Sequence, residues 1–226
     1  MSKDSKQLAA KHSLQFIEKG MVVGVGTGST VDQLIPLLQQ IEGCQFVASS
    51  VKTEQALLAQ GSPVLSLNDV SGIDLYIDGT DAIDDDFLLL KGGGGAMTQE
   101  KILATHARLF VVIADHSKQK SQFSDLPCPI EVLDVARSQV ARTMRAMGAH
   151  PEYRFGFQTD HGNRILDVFG LDFAKPVWLE NQIKQIPGVV ESGLFAKRRP
   201  EFTIIAKEDQ VQLLKCSQTQ AGESHS

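Results

Sequence analysis

Cysteine is too sparse and too scattered in this chain to build a framework. Cys44, Cys128 and Cys216 are odd in number and far apart, and no C-x-x-C pair occurs. That excludes a disulfide scaffold and a zinc knuckle and fits three reduced thiols. The six histidines form neither H-x-x-H nor H-E-x-x-H, so no metal is expected. Long apolar runs are missing too: none approaches the ~20 residues that span a bilayer. Residues 1–11 are polar and charged, without the apolar stretch of a secretion signal. The expected location is the cytoplasm, with no membrane partner. Basic charge is also short, 22 Lys and Arg against 27 Asp and Glu for a net −5, so no broad positive field awaits nucleic acid. Lys197-Arg198-Arg199 reads as a solvated hairpin end.

What is present is an ordinary globular composition, 42% hydrophobic and 22% charged over 226 residues. A chain of that length buries enough apolar surface to fold without cross-links. Residues 4–19 fit an amphipathic helix, and 21–25 a buried strand. A tight turn at 26–30 leads into a helix capped by Ser29 or Thr30, which runs to about Gln40 with a kink or a second start at Pro36. The alternation continues with a strand at 45–48, a helix from Ser49-Ser50 to near Gly61, a weak strand at 63–67 and a stronger one at 73–77. A helix over 96–108 and an apolar strand over 109–114 follow. The expected fold class is α/β: a Rossmann-like, mostly parallel sheet flanked by helices. Ligands bind beyond the carboxyl ends of such strands. Residues 26–30, 49–50, 78–86 and 115–118 are therefore expected to meet on one edge.

Around Leu126-Pro127-Cys128-Pro129 the texture changes. A strand at 130–133, a helix over 136–147, strands at 153–159 and 164–169 joined by a hairpin turn, a helix at 177–185 and a turn at Pro187-Gly188 suggest a second, smaller α+β domain. The expected division is 1–126 plus about 201–215 for the catalytic α/β domain, 127–200 for the smaller one, and a disordered tail over 216–226.

Four constellations carry chemistry. Gly24-x-Gly26-x-Gly28-Ser29-Thr30 lies between strand and helix, where N–H groups and hydroxyls hold a compact phosphate or merely form a satisfied turn. The dinucleotide fingerprint fails because Ser29 replaces its third glycine, and the Walker loop fails for want of a lysine. Asp78-Gly79-Thr80-Asp81 sits directly after a strand, which delivers Asp78 and Asp81 to the ligand edge; Asp84, Asp85 and Asp86 read as a solvated acidic turn. Lys91-Gly92-Gly93-Gly94-Gly95 points to backbone close to a ligand beside a positive charge, and Glu100 follows on the next helix. Lys118, in Asp115-His116-Ser117-Lys118, either reaches the ligand or lies on a surface loop.

Taken together these segments resemble ribose-5-phosphate isomerase of the A type over nearly the whole chain. Further matches are Pro129-Ile130-Glu131-Val132, Thr159-Asp160-His161-Gly162-Asn163 and Ile186-Pro187-Gly188-Val189-Val190. The resemblance implies interconversion of D-ribose 5-phosphate and D-ribulose 5-phosphate without metal or organic cofactor. It makes Glu100 the general base and places Asp78 and Asp81 at the sugar oxygens and in ring opening. Lys91, Gly92, Gly93 and Gly94 face the reacting end, with Gly79 and Thr80 beside them. Thr27, Gly28, Ser29 and Thr30 hold the phosphate, Lys118 joins the substrate site, and Lys6 stands where the family often has a lysine near the phosphate. A homodimer or homotetramer is implied. Ala82, Gln99 and His161 replace the family's usual Glu, Arg and Asn. The alternatives of similar architecture are a sugar-phosphate sensor and a CoA-transferase-like protein.

Overall fold

The computed structural model describes residues 3–216, so all of the expected disordered tail except Cys216 lies outside the described residues. The chain opens with α1 (Lys3–Ser13), which buries Ala9 and Ala10. It stops short of the expected residue 19. The Ser13 hydroxyl donates to the Ala10 carbonyl, and a 3-10 turn, Leu14–Phe16, finishes the helix. The first units are β1 (Val22–Val25), α2 (Val31–Leu38), β2 (Gln45–Ala48), α3 (Val51–Ala59) and β3 (Ile73–Asp78). Helix α2 continues through Pro36; the carbonyl left without a donor is that of Asp32, which faces water. The expected strand at 63–67 reduces to one bridge, Val64 with Phe46, followed by a 3-10 turn.

Two short strands, β4 (Ala82–Ile83) and β5 (Leu89–Leu90), precede α4 (Met97–His106) and the long β6 (Ala107–Asp115). Then come β7 (Cys128–Val132), α5 (Arg137–Ala146), β8 (His150–Tyr153), β9 (Arg164–Phe169) and α6 (Pro176–Lys184). The chain closes with β10 (Val189–Ser192), β11 (Leu194–Phe195), β12 (Phe202–Lys207) and β13 (Gln210–Lys215).

The main sheet has the order β13-β12-β6-β3-β1-β2. All its neighbours are parallel except β12 and β13. As expected, the segment after residue 200 returns to this sheet. Edge strand β13 was not anticipated: Val211 and Leu214 are only half-buried among polar residues, which weakens the period-2 signal. From β1 the chain moves outward to β2, while β3 lies on the other side of β1. The β1/β3 carboxyl ends are thus a topological switch point, where open α/β sheets bind ligands. Separate apolar clusters fill the two faces of the sheet.

A second, antiparallel sheet has the order β10-β7-β9-β8, over its own core. Its first hairpin strand is displaced from expectation. Residues 150–153, not 153–159, pair with β9, and residues 154–163 form a loop. The side chains of Thr159 and Asn163 bond to Glu131, which draws this stretch away from a strand partner. A third sheet, β11-β5-β4, joins the two regions; its strands of two residues are too short to leave a periodic signal.

Candidate active site

The loops beyond β1, β2, β3 and β6 meet as expected and enclose a cavity of about 240 Å³. Thr27, Gly28, Ser29, Thr30, Gly79, Thr80, Asp81, Lys91, Gly92, Gly94, Glu100 and Lys118 line it. Asp78 is wholly buried behind this wall, and Gly93 turns its N–H to Asp81. Asp84, Asp85 and Asp86 are not among the lining residues: Asp84 accepts from the N–H groups of Asp86 and Leu88 and closes a turn.

At the centre three buried charges share one contact. Lys91 Nζ lies 2.8 Å from Asp78 Oδ2 and 3.4 Å from Glu100 Oε2, and it donates to the Gly79 carbonyl at 2.6 Å. Glu100 projects from the first turn of α4, and its Oε2 has no hydrogen-bond partner among the described residues. Burial pushes the Glu100 carboxyl up to about 8, and nearby Lys91 only partly offsets this. Burial also works against the Lys91 ammonium, but the carboxylates of Asp78 and Glu100 outweigh it and its pKa is raised. Lys91 is therefore a permanent cation beside a carboxyl poised for proton transfer.

The two aspartates are differently placed. Asp78 Oδ1 accepts from the N–H groups of Thr27 at 3.0 Å and Gly79 at 2.7 Å; Oδ2 accepts from the Tyr76 hydroxyl and contacts Lys91. A carboxylate surrounded by four donors has no free lone pair to offer a sugar oxygen. Asp81 is exposed to the cavity, and among the described residues only its Oδ2 is engaged, by Gly93 N–H at 2.7 Å.

The loop after β1 ends at the N-terminus of α2. Thr30 occupies the cap position, but neither it nor Ser29 caps the helix; Thr30 has helical dihedrals and makes no side-chain cap bond. Among the described residues nothing accepts from the N–H groups of Gly28, Ser29 and Thr30, and Ser29 Oγ accepts from Lys6 Nζ at 2.7 Å. Unpaired donors at a positive helix end beside a lysine suit an anion. Of this loop's glycines only Gly28, at φ +113°, stands beside open space.

The four-glycine run is likewise only partly a matter of ligand access. A Cβ on Gly93 would press on the Asp81 carboxylate and one on Gly95 on the Phe157 ring, whereas Gly94 is open. Thr80 donates inward, to Ala82 O at 2.8 Å or Leu90 O at 3.0 Å. Ala82 is wholly buried in the short β4 strand, so no carboxylate is missing from the cavity wall at that position.

Two buried polar networks brace α4. Glu131 on β7 accepts from Thr98 Oγ1, from Thr159 Oγ1 at 2.7 Å and from Asn163 Nδ2 at 2.9 Å, with His161 Nδ1 3.7 Å away. Lys101 reaches Glu180 at 2.8 Å, Glu191 at 3.1 Å and the Leu194 carbonyl at 2.7 Å.

A family model for ribose 5-phosphate isomerase A (phosphoriboisomerase A) matches residues 45–210. The ribose-5-phosphate isomerase A of Acidithiobacillus ferrooxidans is 51% identical over 201 residues, spanning 88% of this chain and 92% of that protein. The chain belongs to the ribose 5-phosphate isomerase A family. The crystal structure of the Neisseria gonorrhoeae family member superposes with a TM-score of 0.93 at 38% identity, covering 96% and 99% of the two chains. A D-ribose-5-phosphate isomerase solved with phospho-erythronic acid gives 0.91 at 33% identity, covering 95% and 100%. This aldose–ketose isomerase interconverts D-ribose 5-phosphate and D-ribulose 5-phosphate, a step of the pentose phosphate pathway. No helix among the described residues is long and apolar enough to cross a membrane.

Around the isomerase cavity stand residues that sequence reasoning did not single out as site residues. Ser50, Lys52, Phe157 and Asp160 line it. Ser50 caps α3 and donates to Thr27 or Thr53, each at 3.1 Å; Lys52 pairs with Asp32 at 2.8 Å. Asp160 accepts from the Val51 N–H at 2.9 Å, at the start of α3. The Thr159-Asp160-His161-Gly162-Asn163 segment was the one available signal for Asp160; for Lys52 there was none.

Proposed function

We propose that Glu100 carries the proton between C1 and C2 through an enediolate. The observation that carries this reading is a buried carboxyl raised to about 8, aimed at the cavity 3.4 Å from the Lys91 ammonium. Isomerisation needs one basic carboxylate, a group for the oxygen protons and positive charge at the oxyanion. Lys91 supplies the charge and Asp81 Oδ1 handles the oxygen protons and ring opening. Asp78 acts at the sugar oxygens only through its hold on Lys91 and Gly79. The N–H groups and hydroxyls of Thr27, Gly28, Ser29 and Thr30 take the phosphate, with Lys118 and Lys6 as counter-charges. Gly79, Thr80, Gly92, Gly93 and Gly94 form the backbone wall of the sugar site. The phospho-erythronic acid of the solved relative, a phosphate with a carboxylate, fits a site of this chemistry.

Turnover of ribose 5-phosphate with EDTA present, followed across pH, tests the reading. A base must be ionised to act, so kcat/KM is expected to rise with pH and level off above about 8. At pH 6 it is then about a hundredfold below the plateau. A flat profile between pH 6 and 9, or activity lost to the chelator and restored by Mg²⁺, overturns it.

Thr30→Ala probes the phosphate subsite. Because Thr30 makes no cap bond, its loss costs α2 little. One hydrogen bond to a dianion contributes about 1.5–3 kcal/mol, so KM and the inhibition constant of inorganic phosphate are expected to rise together by roughly tenfold or more. Unchanged phosphate inhibition in the folded variant places the phosphate elsewhere.

We further propose that residues 1–126 with about 201–215 form the catalytic domain and 127–200 the smaller α+β domain, whose Phe157 and Asp160 close the cavity. The working form is a cytoplasmic homodimer or homotetramer.

A further inference from the structure

The proton-transfer groups leave one buried titratable neighbour without a role. Tyr76 is wholly buried on β3, two residues before Asp78, with its ring stacked on Phe110 at 5.1 Å. Its hydroxyl donates to Asp78 Oδ2, the same oxygen that lies 2.8 Å from Lys91 Nζ. Gly24, near the end of β1, and Gly26, in the loop after it, make room for this pair rather than for a ligand. A Cβ on Gly24 would stand 2.8 Å from the Tyr76 ring, and one on Gly26 only 1.9 Å from Asp78 Oδ1. The loop, the phenol and the carboxylate are thus built around one another.

We propose that Tyr76 is a positioning residue for the isomerisation, its phenol holding Asp78 Oδ2 so that Lys91 is shared with Glu100 instead of being drawn onto Asp78 alone. The argument is one of competition. A carboxylate oxygen that already accepts a hydroxyl proton attracts a neighbouring ammonium less strongly. Without the phenol, Asp78 pulls Lys91 closer and Glu100 loses part of the cation beside it. The charged groups that act on the phenol are Asp78 on its own strand and Glu100 on α4, and Lys91 pairs with both. Just after β2 it meets the neutral Ser49 hydroxyl, and from β6 the Phe110 ring. Burial, with Asp78 and Glu100, raises the phenol well above its ordinary value, so it stays a donor throughout the working range.

The inference rests on Glu100 being the base, which solvent exchange in Glu100→Gln tests separately. For Tyr76→Phe, which keeps the ring and its stacking, kcat is expected to fall about tenfold with KM within about a factor of two. The acid limb of kcat/KM is expected to move up by about 0.5–1 pH unit, because a less compensated Glu100 is harder to ionise. The chain has two tyrosines, Tyr76 and Tyr153. In a Tyr153→Phe background, 3-fluorotyrosine therefore labels position 76 alone. Fluorine makes the phenol a stronger donor, so the limb is expected to move the opposite way. This second protein retains the whole side chain and carries the test even if Tyr76→Phe does not fold. A limb that stays put in the fluorotyrosine protein overturns the proposal. So does a Tyr76→Phe enzyme with raised KM but unchanged kcat and limb, which would tie Tyr76 to the phosphate loop instead.

Discussion

Glu100→Gln is expected to lower kcat by about 10²–10⁴-fold or more while KM stays almost unchanged. The amide keeps the shape of the side chain on the first turn of α4 but removes its basicity. In the proposed reading, substrate affinity resides in the phosphate loop and the sugar wall, which the substitution leaves in place. Exchange of the substrate C2 hydrogen with solvent deuterium isolates the step, since it needs the base but not completed turnover. Exchange should nearly vanish. If a folded Glu100→Gln protein still exchanges at close to the wild-type rate, the base is elsewhere, and Asp81, with its free oxygen in the cavity, becomes the leading candidate.

Lys91→Met is expected to damage stability as severely as activity. Lys91 is 2% exposed and is the cation against both Asp78 and Glu100. Removing one partner of a buried pair costs about 3–5 kcal/mol, because the remaining charge is stranded. With Lys91 as the proposed oxyanion cation, kcat is expected to fall by a further ~10²–10³-fold. The stability loss has a pH signature. In the variant Glu100 loses the lysine that now restrains its upward shift, so its folded pKa lies above 8 against an ordinary 4.5. A carboxyl raised on folding favours the native state below the unfolded value and loses that contribution as pH rises through the folded one. The deficit in urea unfolding should therefore be largest at pH 8–9 and shrink towards pH 5. A deficit of equal size at both ends would show that Lys91 does not act on stability through the Glu100 carboxyl.

The α/β architecture was legible because its strands are short apolar runs punctuated by turns. The β1–α2–β2–α3 and β3 boundaries fall within a residue or two of expectation at most ends. The chemistry-bearing residues were legible because strands deliver them: Asp78 closes β3 and Thr27 follows β1. What stayed hidden depends on contacts distant in sequence. Residues 154–159 have the aromatic alternation of a strand, yet Glu131 holds Thr159 and Asn163 out of the ladder. Gly24 and Gly26 look like anion-loop glycines, but the atoms they avoid belong to Tyr76 and Asp78, some fifty positions away. The carboxylates of Asp78 and Asp81 are equivalent as letters. Only the count of donors around each distinguishes a saturated anchor from an available acid–base group.

The bracing of α4 has a thermodynamic consequence. Glu131 ties its first turn to β7 and to the 159–163 loop, and one turn on Lys101 ties it to α6, β10 and β11. Prising the antiparallel sheet from this helix would take the Thr98 hydroxyl from Glu131 and both carboxylates from Lys101. The loss at Lys101 alone is comparable to a large fraction of the stability of a whole domain. The main and antiparallel sheets are therefore coupled into one cooperative folding unit. A species with the second sheet melted would also have lost the supports that aim Glu100, so partial unfolding yields an inactive protein rather than a slower isomerase.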